Sequence, residues 1–143
     1  MKNLRLLLVL LPALIMTGCE EDNATPMNYQ QEAAEGEWNL VNVSGSIAGV
    51  NQDFAPGTIA WTFNENGTVT VVNNNTNEQA EDFFDTGTYD YSFVANEDNP
   101  QACAIVLEVD NINFGCQTIN GDELVLSQVW ADGYQLTFEK QNQ

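Results

Sequence analysis

Apolar and polar residues alternate along most of the chain after residue 35, in short runs that end at turn-forming residues. Period-two alternation puts successive side chains on opposite faces of the backbone, which is typical of strands with one buried face. Runs of this kind, bounded by glycine, asparagine, aspartate and proline, predict about eight strands. The predicted strands span residues 37–44, 58–64, 68–73, 87–94, 102–109, 112–118, 123–130 and 134–140.

Short turns join most of these strands, so neighbours in sequence are expected to pair as antiparallel hairpins. Asn66-Gly67 is the pair favoured where a hairpin turn needs positive φ, and Asp110-Asn111 stands at a second such turn. Longer loops are predicted at 44–57 and 73–85; the second is polar and acidic apart from Phe83 and Phe84, and the whole loop is expected to be exposed. The pattern predicts an all-β fold, an eight-stranded antiparallel up-and-down barrel. A two-sheet sandwich has the same alternation and stays open as the alternative.

Large aromatic side chains recur on the apolar faces of these strands. A domain of roughly 110 residues needs most of its large side chains for its own core, so we expect them to fill the barrel. If a pocket exists, Trp61, Tyr89, Tyr91 and Trp130 are the candidate ligand-binding residues, because each combines an apolar ring with a hydrogen-bonding edge. The full aromatic set is Trp38, Trp61, Phe63, Tyr89, Tyr91, Phe93, Trp130, Tyr134 and Phe138.

The first eighteen residues have the composition of an export signal. Lys2 and Arg5 precede an apolar run over 6–16, and Thr17-Gly18 leads directly into Cys19. The segment resembles a bacterial lipoprotein signal peptide, which implies cleavage before Cys19, removal of residues 1–18 and acylation of Cys19. An ordinary signal peptide is the alternative. Two or more acyl chains hold a protein stably in a membrane, so the resemblance implies a permanent membrane anchor at Cys19.

Acidic residues follow the cysteine at once. Cys19-Glu20-Glu21-Asp22 resembles the lipoprotein export signal of Bacteroidetes, which implies display on the outer surface of the outer membrane. The alternative is that these acids only begin a solvated linker, on a lipoprotein that faces the periplasm. Residues 19–34 are polar and predict a lipidated cysteine followed by a flexible acidic tether. A short helix over 29–34, packed against one end of the domain, is compatible with the composition.

Charge excludes several function classes. The chain has 21 acidic residues against three basic ones and a formal net charge of −18, and removal of residues 1–18 leaves Lys140 as the last basic residue. Nucleic acids and anionic lipid surfaces both require lysine and arginine, so neither is an expected partner. The chain has no histidine, which removes the commonest general base and the usual activator of serine and cysteine nucleophiles.

No catalytic residue, cofactor or metal site is therefore expected. Acidic residues at several loops could gather Ca²⁺, but no EF-hand spacing is present, and dispersed surface carboxylates are the favoured interpretation. A carboxylate pair for glycoside hydrolysis is not nominated by any spacing. The acidic residues considered for Ca²⁺ are Asp82, Asp85, Glu97, Asp98 and Asp110.

Cys103 and Cys116 remain once Cys19 is assigned to the anchor, and an exported protein is the setting in which disulfides persist. A two-residue turn at 110–111 sets Leu107 opposite Phe114 and makes the two cysteines diagonal neighbours. Such neighbours lie near the limit of disulfide reach, so strand twist or a bulge near Gly115 would have to close the gap. We expect the two cysteines to be bonded to each other.

Several motifs together are similar to those of lipocalins. Gly36-Glu37-Trp38 resembles the Gly-x-Trp start of their first barrel strand, and Phe63 with Gly67-Thr68 resembles the Phe-x-x-x-Gly-Thr hairpin of the lipocalin-like lipoproteins of Bacteroidetes. Segments 87–89, 122–126 and 132–138 resemble later strands of the same family. The resemblance implies a lipocalin-like barrel over residues 35–143. Lipocalins pack an arginine over the first-strand tryptophan, whereas this chain has only Lys140 near its end.

These observations lead to a first hypothesis and an alternative. The first is an outer-membrane-anchored lipoprotein whose lipocalin-like domain is a non-enzymatic binding module for a small apolar molecule. The alternative is a surface structural or interaction protein with a side-chain-filled barrel and no small-molecule ligand. Neither the ligand nor a protein partner is identified by the sequence.

Overall fold

A computed structural model describes residues 26–141. Within this range the chain is nearly all β, with one short helix followed by nine strands. The elements are α1 (Pro26–Ala34), β1 (Gly36–Gly45), β2 (Val50–Asp53), β3 (Ile59–Phe63), β4 (Thr68–Asn73), β5 (Gly87–Ala95), β6 (Ile105–Val109), β7 (Ile112–Asn120), β8 (Glu123–Ser127) and β9 (Tyr134–Lys140).

The strands form a closed antiparallel barrel. From β3 to β9 each strand pairs with the next, and β9 returns to pair with β1 from Trp38↔Lys140 to Gly45↔Tyr134. The opposite edge of β1 pairs with β3, which closes the barrel with eight strands. The predicted all-β, eight-stranded up-and-down barrel is therefore confirmed, and the two-sheet alternative is not the fold.

One edge of β1 pairs with two strands, because the predicted loop 44–57 contains an extra strand. Residues 36–39 of β1 pair with β3, while residues 42–45 pair with the short strand β2. A bulge at Val41 shifts the register against β9. One extra residue reverses the facing of those that follow it, so Leu40 and Val43 are both fully buried although their spacing is odd.

Two hairpins test the predicted turns. Asp110 and Asn111 have φ of 47° and 65° and join Val109 to its partner Ile112, as a two-residue turn requires. The Asn66-Gly67 hairpin is also present, but the Asn64 N–H donates to Thr68 O at 2.9 Å, so its loop has three residues. Only Gly67 has positive φ there, at 78°. The expectation of positive φ for the pair was wrong for Asn66.

The disulfide between Cys103 and Cys116 is present, with 5.9 Å between the Cα atoms. A bulge closes the diagonal gap, because Leu107 pairs with Gly115 instead of Phe114 as the simple register predicted. Gly115 has φ of 78°. Strand β6 begins only at Ile105, so Cys103 lies before the strand and not in it, contrary to the predicted strand 102–109.

Helix α1 covers one end of the barrel. Ala34 is fully buried, and its carbonyl accepts a 2.8 Å hydrogen bond from the indole N–H of Trp38. Gln31 Nε2 donates to Glu65 O at 3.2 Å, and Gln117 Nε2 donates to Gln30 O at 3.2 Å. The short helix allowed by the composition is confirmed and begins at Pro26, so helix replaces tether over residues 26–34.

Two other expectations concern the start of the chain. Cys19, the signal segment 1–18 and the tether up to residue 25 lie outside the described residues. Between residues 26 and 141, no helix combines the length and the apolar character needed to cross a membrane. At the other end of the chain, Lys140 Nζ lies 5.3 Å from the centre of the Trp38 ring, within the range of a cation–π contact.

Candidate functional site

Three of the four candidate ligand-binding residues belong to the barrel interior, and the fourth does not. Trp61 is fully buried, Tyr91 is buried, and Tyr89 is half-buried against the core. Strand β8 ends at Ser127, so Trp130 lies in the loop after it and is 48% exposed. The prediction that Trp130 shares the inner face of this strand was therefore wrong, because the alternating pattern continued past the last ladder pair.

Trp61 is the centre of the packed interior. Its ring lies 5.2 Å from that of Phe138, 5.5 Å from those of Phe84 and Phe114, and 6.2 Å from that of Phe63. These centroid distances are those of aromatic rings in contact. Five surface clefts among the described residues are lined by other side chains, with Tyr91 and Phe63 each bordering one. Side chains therefore fill the space around Trp61.

Two residues of the core come from the loop between β4 and β5, which the sequence predicted to be exposed. Phe84 is 6% exposed, and its ring lies 4.5 Å from Tyr89 and 5.5 Å from Trp61. Phe83 packs against Phe114 at 5.2 Å and Tyr134 at 5.5 Å. The two rings close the end of the barrel opposite α1. The only signal for them was a pair of adjacent phenylalanines in an otherwise polar segment.

The backbone at this pair is strained. The Phe84 N–H donates to Asp82 O at 2.8 Å, which makes a three-residue γ-turn centred on Phe83. Phe83 has φ of 61°, a region that bulky side chains rarely occupy. The γ-turn with positive φ is the rare, strained form. Such a conformation costs about 1–3 kcal/mol and persists only where surrounding contacts impose it.

Side-chain hydrogen bonds hold this turn against the barrel. Asn73 Nδ2 donates to Phe84 O at 2.8 Å and to Asp82 Oδ2 at 2.9 Å. The Glu81 N–H donates to Gln52 Oε1 at 2.7 Å, and Tyr134 OH donates to Glu81 Oε2 at 3.2 Å. All four of these hydrogen bonds are only partly buried.

The two buried indoles differ in their polar contacts. Trp38 Nε1 donates to Ala34 O, whereas Trp61 Nε1 has no hydrogen-bond partner among the described residues. A buried donor without a partner costs about 1–3 kcal/mol and calls for an explanation. Trp61 therefore combines a fully enclosed ring with one polar atom that has no hydrogen-bond partner among the described residues.

The phenol groups of the other two candidates are already engaged. Tyr91 OH donates to Asn64 O at 3.1 Å, and Tyr89 OH donates to Asp85 O at 3.0 Å. Burial, and then the carboxylate of Glu35, raise the pKa of Tyr91 above its ordinary value of 10.0, so this phenol stays protonated. Both phenol groups are therefore already engaged in hydrogen bonds within the domain.

The acidic residues considered for Ca²⁺ do not converge. No group of three cysteine, aspartate or glutamate side chains is placed to hold a metal ion within residues 26–141. Asp82, the best enclosed of the five, uses its Oδ2 to accept from the amides of Asn73 and Asn75, each at 2.9 Å. Its role in the described structure is to hold the loop.

Comparisons of the chain with protein-family models, with curated proteins and with solved structures each give no match. The function of the protein must therefore be inferred from the barrel, its closed end and the surface of this chain.

Proposed function

We propose that the protein is a membrane-tethered, non-enzymatic interaction protein whose barrel is filled by its own side chains. The packing around Trp61 carries this proposal, because four phenylalanine rings occupy the space that a resident ligand would need. The engaged phenols of Tyr89 and Tyr91 support it further, since neither is free to orient a bound molecule. This was the alternative hypothesis from the sequence, and it is now the first.

The working surface would be the barrel end away from α1. Ile47 is 88% exposed and Trp130 is 48% exposed. Their loops are joined where the Ser46 N–H donates to Gly133 O at 3.3 Å. Exposed large apolar side chains at one end of a domain are typical of protein contact sites, and tryptophan is enriched among residues that dominate binding energy. We define Ile47 and Trp130 as the distal apolar pair.

A matched surface comparison tests this part of the proposal. Cross-linking on intact cells should capture a protein partner with the wild-type chain, and a double substitution of the distal apolar pair, Ile47→Ser with Trp130→Ser, should abolish that cross-link. Val72, which is 45% exposed on β4, provides the control, and Val72→Ser should leave the cross-link unchanged. Loss of the cross-link in both variants, or in neither, would contradict a distal contact surface.

The anchor belongs to the same proposal. Cys19 would be acylated and the protein held in the outer membrane, with the acids after it directing the domain to the cell surface; a periplasm-facing domain is the alternative. Cys19→Ala should release the protein into the soluble fraction. Replacing Glu20, Glu21 and Asp22 together by alanine should keep it in the membrane but protect it from protease added to intact cells. Membrane retention of Cys19→Ala would refute lipidation.

A second candidate function is binding of a small apolar molecule, the first hypothesis from the sequence. Two observations favour it: the unused indole N–H of Trp61, and the fact that Phe83 and Phe84 reach the interior from a loop instead of a strand. Native mass spectrometry of the chain from its own host separates the two candidates. Extra mass that is lost on denaturation supports a carrier, and a bare mass supports the filled barrel.

A further inference from the structure

We propose that Phe83 and Phe84 form a displaceable lid, and that the space they occupy can bind a flat, neutral molecule of one or two rings that carries a hydrogen-bond acceptor. The lid is the γ-turn Asp82-Phe83-Phe84 with its two side chains. This inference rests on the second candidate function and is independent of the distal apolar pair. It makes the closed barrel a resting state in which the protein's own side chains take the place of a ligand.

The rings around Trp61 differ in the backbone that carries them. Phe63 and Phe138 belong to strands with neighbours on both edges, and Phe114 lies within β7 as its bulged residue, between the paired residues Asn113 and Gly115. Phe84 belongs to none of these strands, and its backbone carbonyl is held by the side-chain amide of Asn73. Moving Phe84 therefore breaks no strand pairing. Among the rings that touch Trp61, it is the one that can leave while the barrel stays intact.

In the closed state of the lid, the backbone strain at Phe83 is offset by the burial of the two phenylalanine rings. The positive φ of Phe83 is relieved once the turn opens, since nothing but the closed arrangement requires it. The polar contacts that hold the lid come from Asn73, Gln52 and Tyr134, which are only partly buried. Water replaces such contacts on opening with little net loss. Burial of the two rings is what keeps the lid closed, and a ligand of the same shape supplies that burial instead.

The chemistry of the vacated space defines the ligand class. Its walls would be the aromatic faces of Trp61, Tyr89, Phe114 and Tyr134, which favour a flat ring. The unused indole N–H of Trp61 calls for an acceptor. The chain carries a formal net charge of −18, so an anionic ligand is repelled. Barrel mouths are common places for such sites.

The test uses acetophenone and α-methylstyrene, two flat molecules of nearly equal shape that differ by a carbonyl oxygen against a methylene group. Binding is followed in the ¹⁵N spectrum, where the three tryptophans give three indole signals, assigned with Trp61→Phe. Phe84→Ala should bind acetophenone at least tenfold more tightly than the wild type does. The same variant should bind α-methylstyrene less tightly than it binds acetophenone. Only the Trp61 indole signal should move, because Trp38 has its own acceptor and Trp130 is exposed.

Phe93→Ala is the matched control, since Phe93 is also buried but contacts Tyr91 instead of Trp61. It should not gain acetophenone binding that moves the Trp61 signal. Equal binding by both variants, no preference for the carbonyl, or a fixed Trp61 signal would overturn the proposed site.

Hydrogen exchange in the wild-type chain decides the lid itself, even if Phe84→Ala does not fold. Saturating acetophenone should accelerate exchange of the Phe84 amide, whose acceptor is Asp82 O, because the turn must open. The Tyr91 amide, which donates to Gly67 O within the barrel wall, is the internal control and should not be accelerated. Unchanged or slower exchange at Phe84 would overturn the lid. None of these outcomes bears on cross-linking through the distal apolar pair, so the two proposals fail separately.

Discussion

Trp38 and Trp61 are direct partners across β1 and β3, and both are fully buried. Changing either to phenylalanine removes the same atoms from the same core, so the packing losses largely cancel when the two variants are compared. The remaining difference is the indole N–H. Trp38→Phe removes a hydrogen bond to Ala34 O, whereas Trp61→Phe removes a donor that has no partner among the described residues.

The size of the difference follows from these two polar terms. A buried hydrogen bond contributes about 0.5–1.5 kcal/mol, and an unpartnered buried donor costs about 1–3 kcal/mol. Trp38→Phe should therefore lower the free energy of unfolding by about 1.5–4.5 kcal/mol more than Trp61→Phe does. The cation–π contact of Lys140 with the Trp38 ring acts in the same direction, because phenylalanine is a weaker partner for a cation.

Urea unfolding of the two variants, followed by far-ultraviolet circular dichroism, measures this difference. With a slope of about 2 kcal/mol per molar urea, a difference of about 2 kcal/mol separates the two midpoints by about 1 M. Trp130→Phe should stay close to the wild type, since Trp130 is half exposed. Equal midpoints, or a lower midpoint for Trp61→Phe, would refute the assignment of an unused N–H to Trp61.

Three further predictions concern the disulfide, a bulge and an ionisable group. Replacing Cys103 and Cys116 together by serine should lower the free energy of unfolding by about 3 kcal/mol in urea, because the bond closes a loop across 13 positions. Gly115→Ala should lower Tm by about 10 °C, since its Cβ would clash with the backbone O of Ser127 at a φ of 78°. Tyr91 should ionise above its ordinary pKa of 10.0 in an absorbance titration at 295 nm, and this step should be missing in Tyr91→Phe.

The sign of the Tyr91 effect follows from its raised pKa. Because the folded-state pKa lies above the unfolded value of 10.0, the protonated phenol stabilises the fold fully below that pH. The stabilisation is lost as pH rises through the higher folded-state pKa. A Tyr91→Phe variant whose alkaline unfolding midpoint matches that of the wild type would contradict this. For the other two predictions, unchanged unfolding of the serine double variant or an unchanged Tm of Gly115→Ala would do the same.

Strand positions were accessible from the sequence because alternation is a local property of the backbone. The predicted strands 68–73 and 134–140 coincide with β4 and β9. The prediction failed where non-local pairing ended a pattern that continued in sequence, as at Trp130, or where pairing made a strand out of a polar segment, as at β2. The bulge at Val41 was of the same kind, since it is defined by the strand opposite. The bulge at Phe114 lies where the cysteine spacing called for strand twist or a bulge near Gly115.

The candidate site shows the same division. Alternation correctly put Trp61, Tyr89 and Tyr91 on the inner faces, but it could not tell whether those faces enclose a cavity. Filling depends on Phe83 and Phe84, which reach the core from a loop through a turn with positive φ that no local preference of phenylalanine favours. Their placement is decided by the room left between side chains of β3, β5, β7 and β9, which no local pattern records.

The sequence by itself determined the period-two strands, the two hairpins and the pairing of the last two cysteines. Each follows from sterics between near neighbours or from composition, so none of them requires knowledge of distant contacts. The tertiary structure alone decided the closure of β1 on β9, the extra strand, the bulge at Val41 and the filled mouth. These depend on which distant surfaces meet and how much volume remains between them, and that remaining volume determines whether this barrel encloses a ligand or its own side chains.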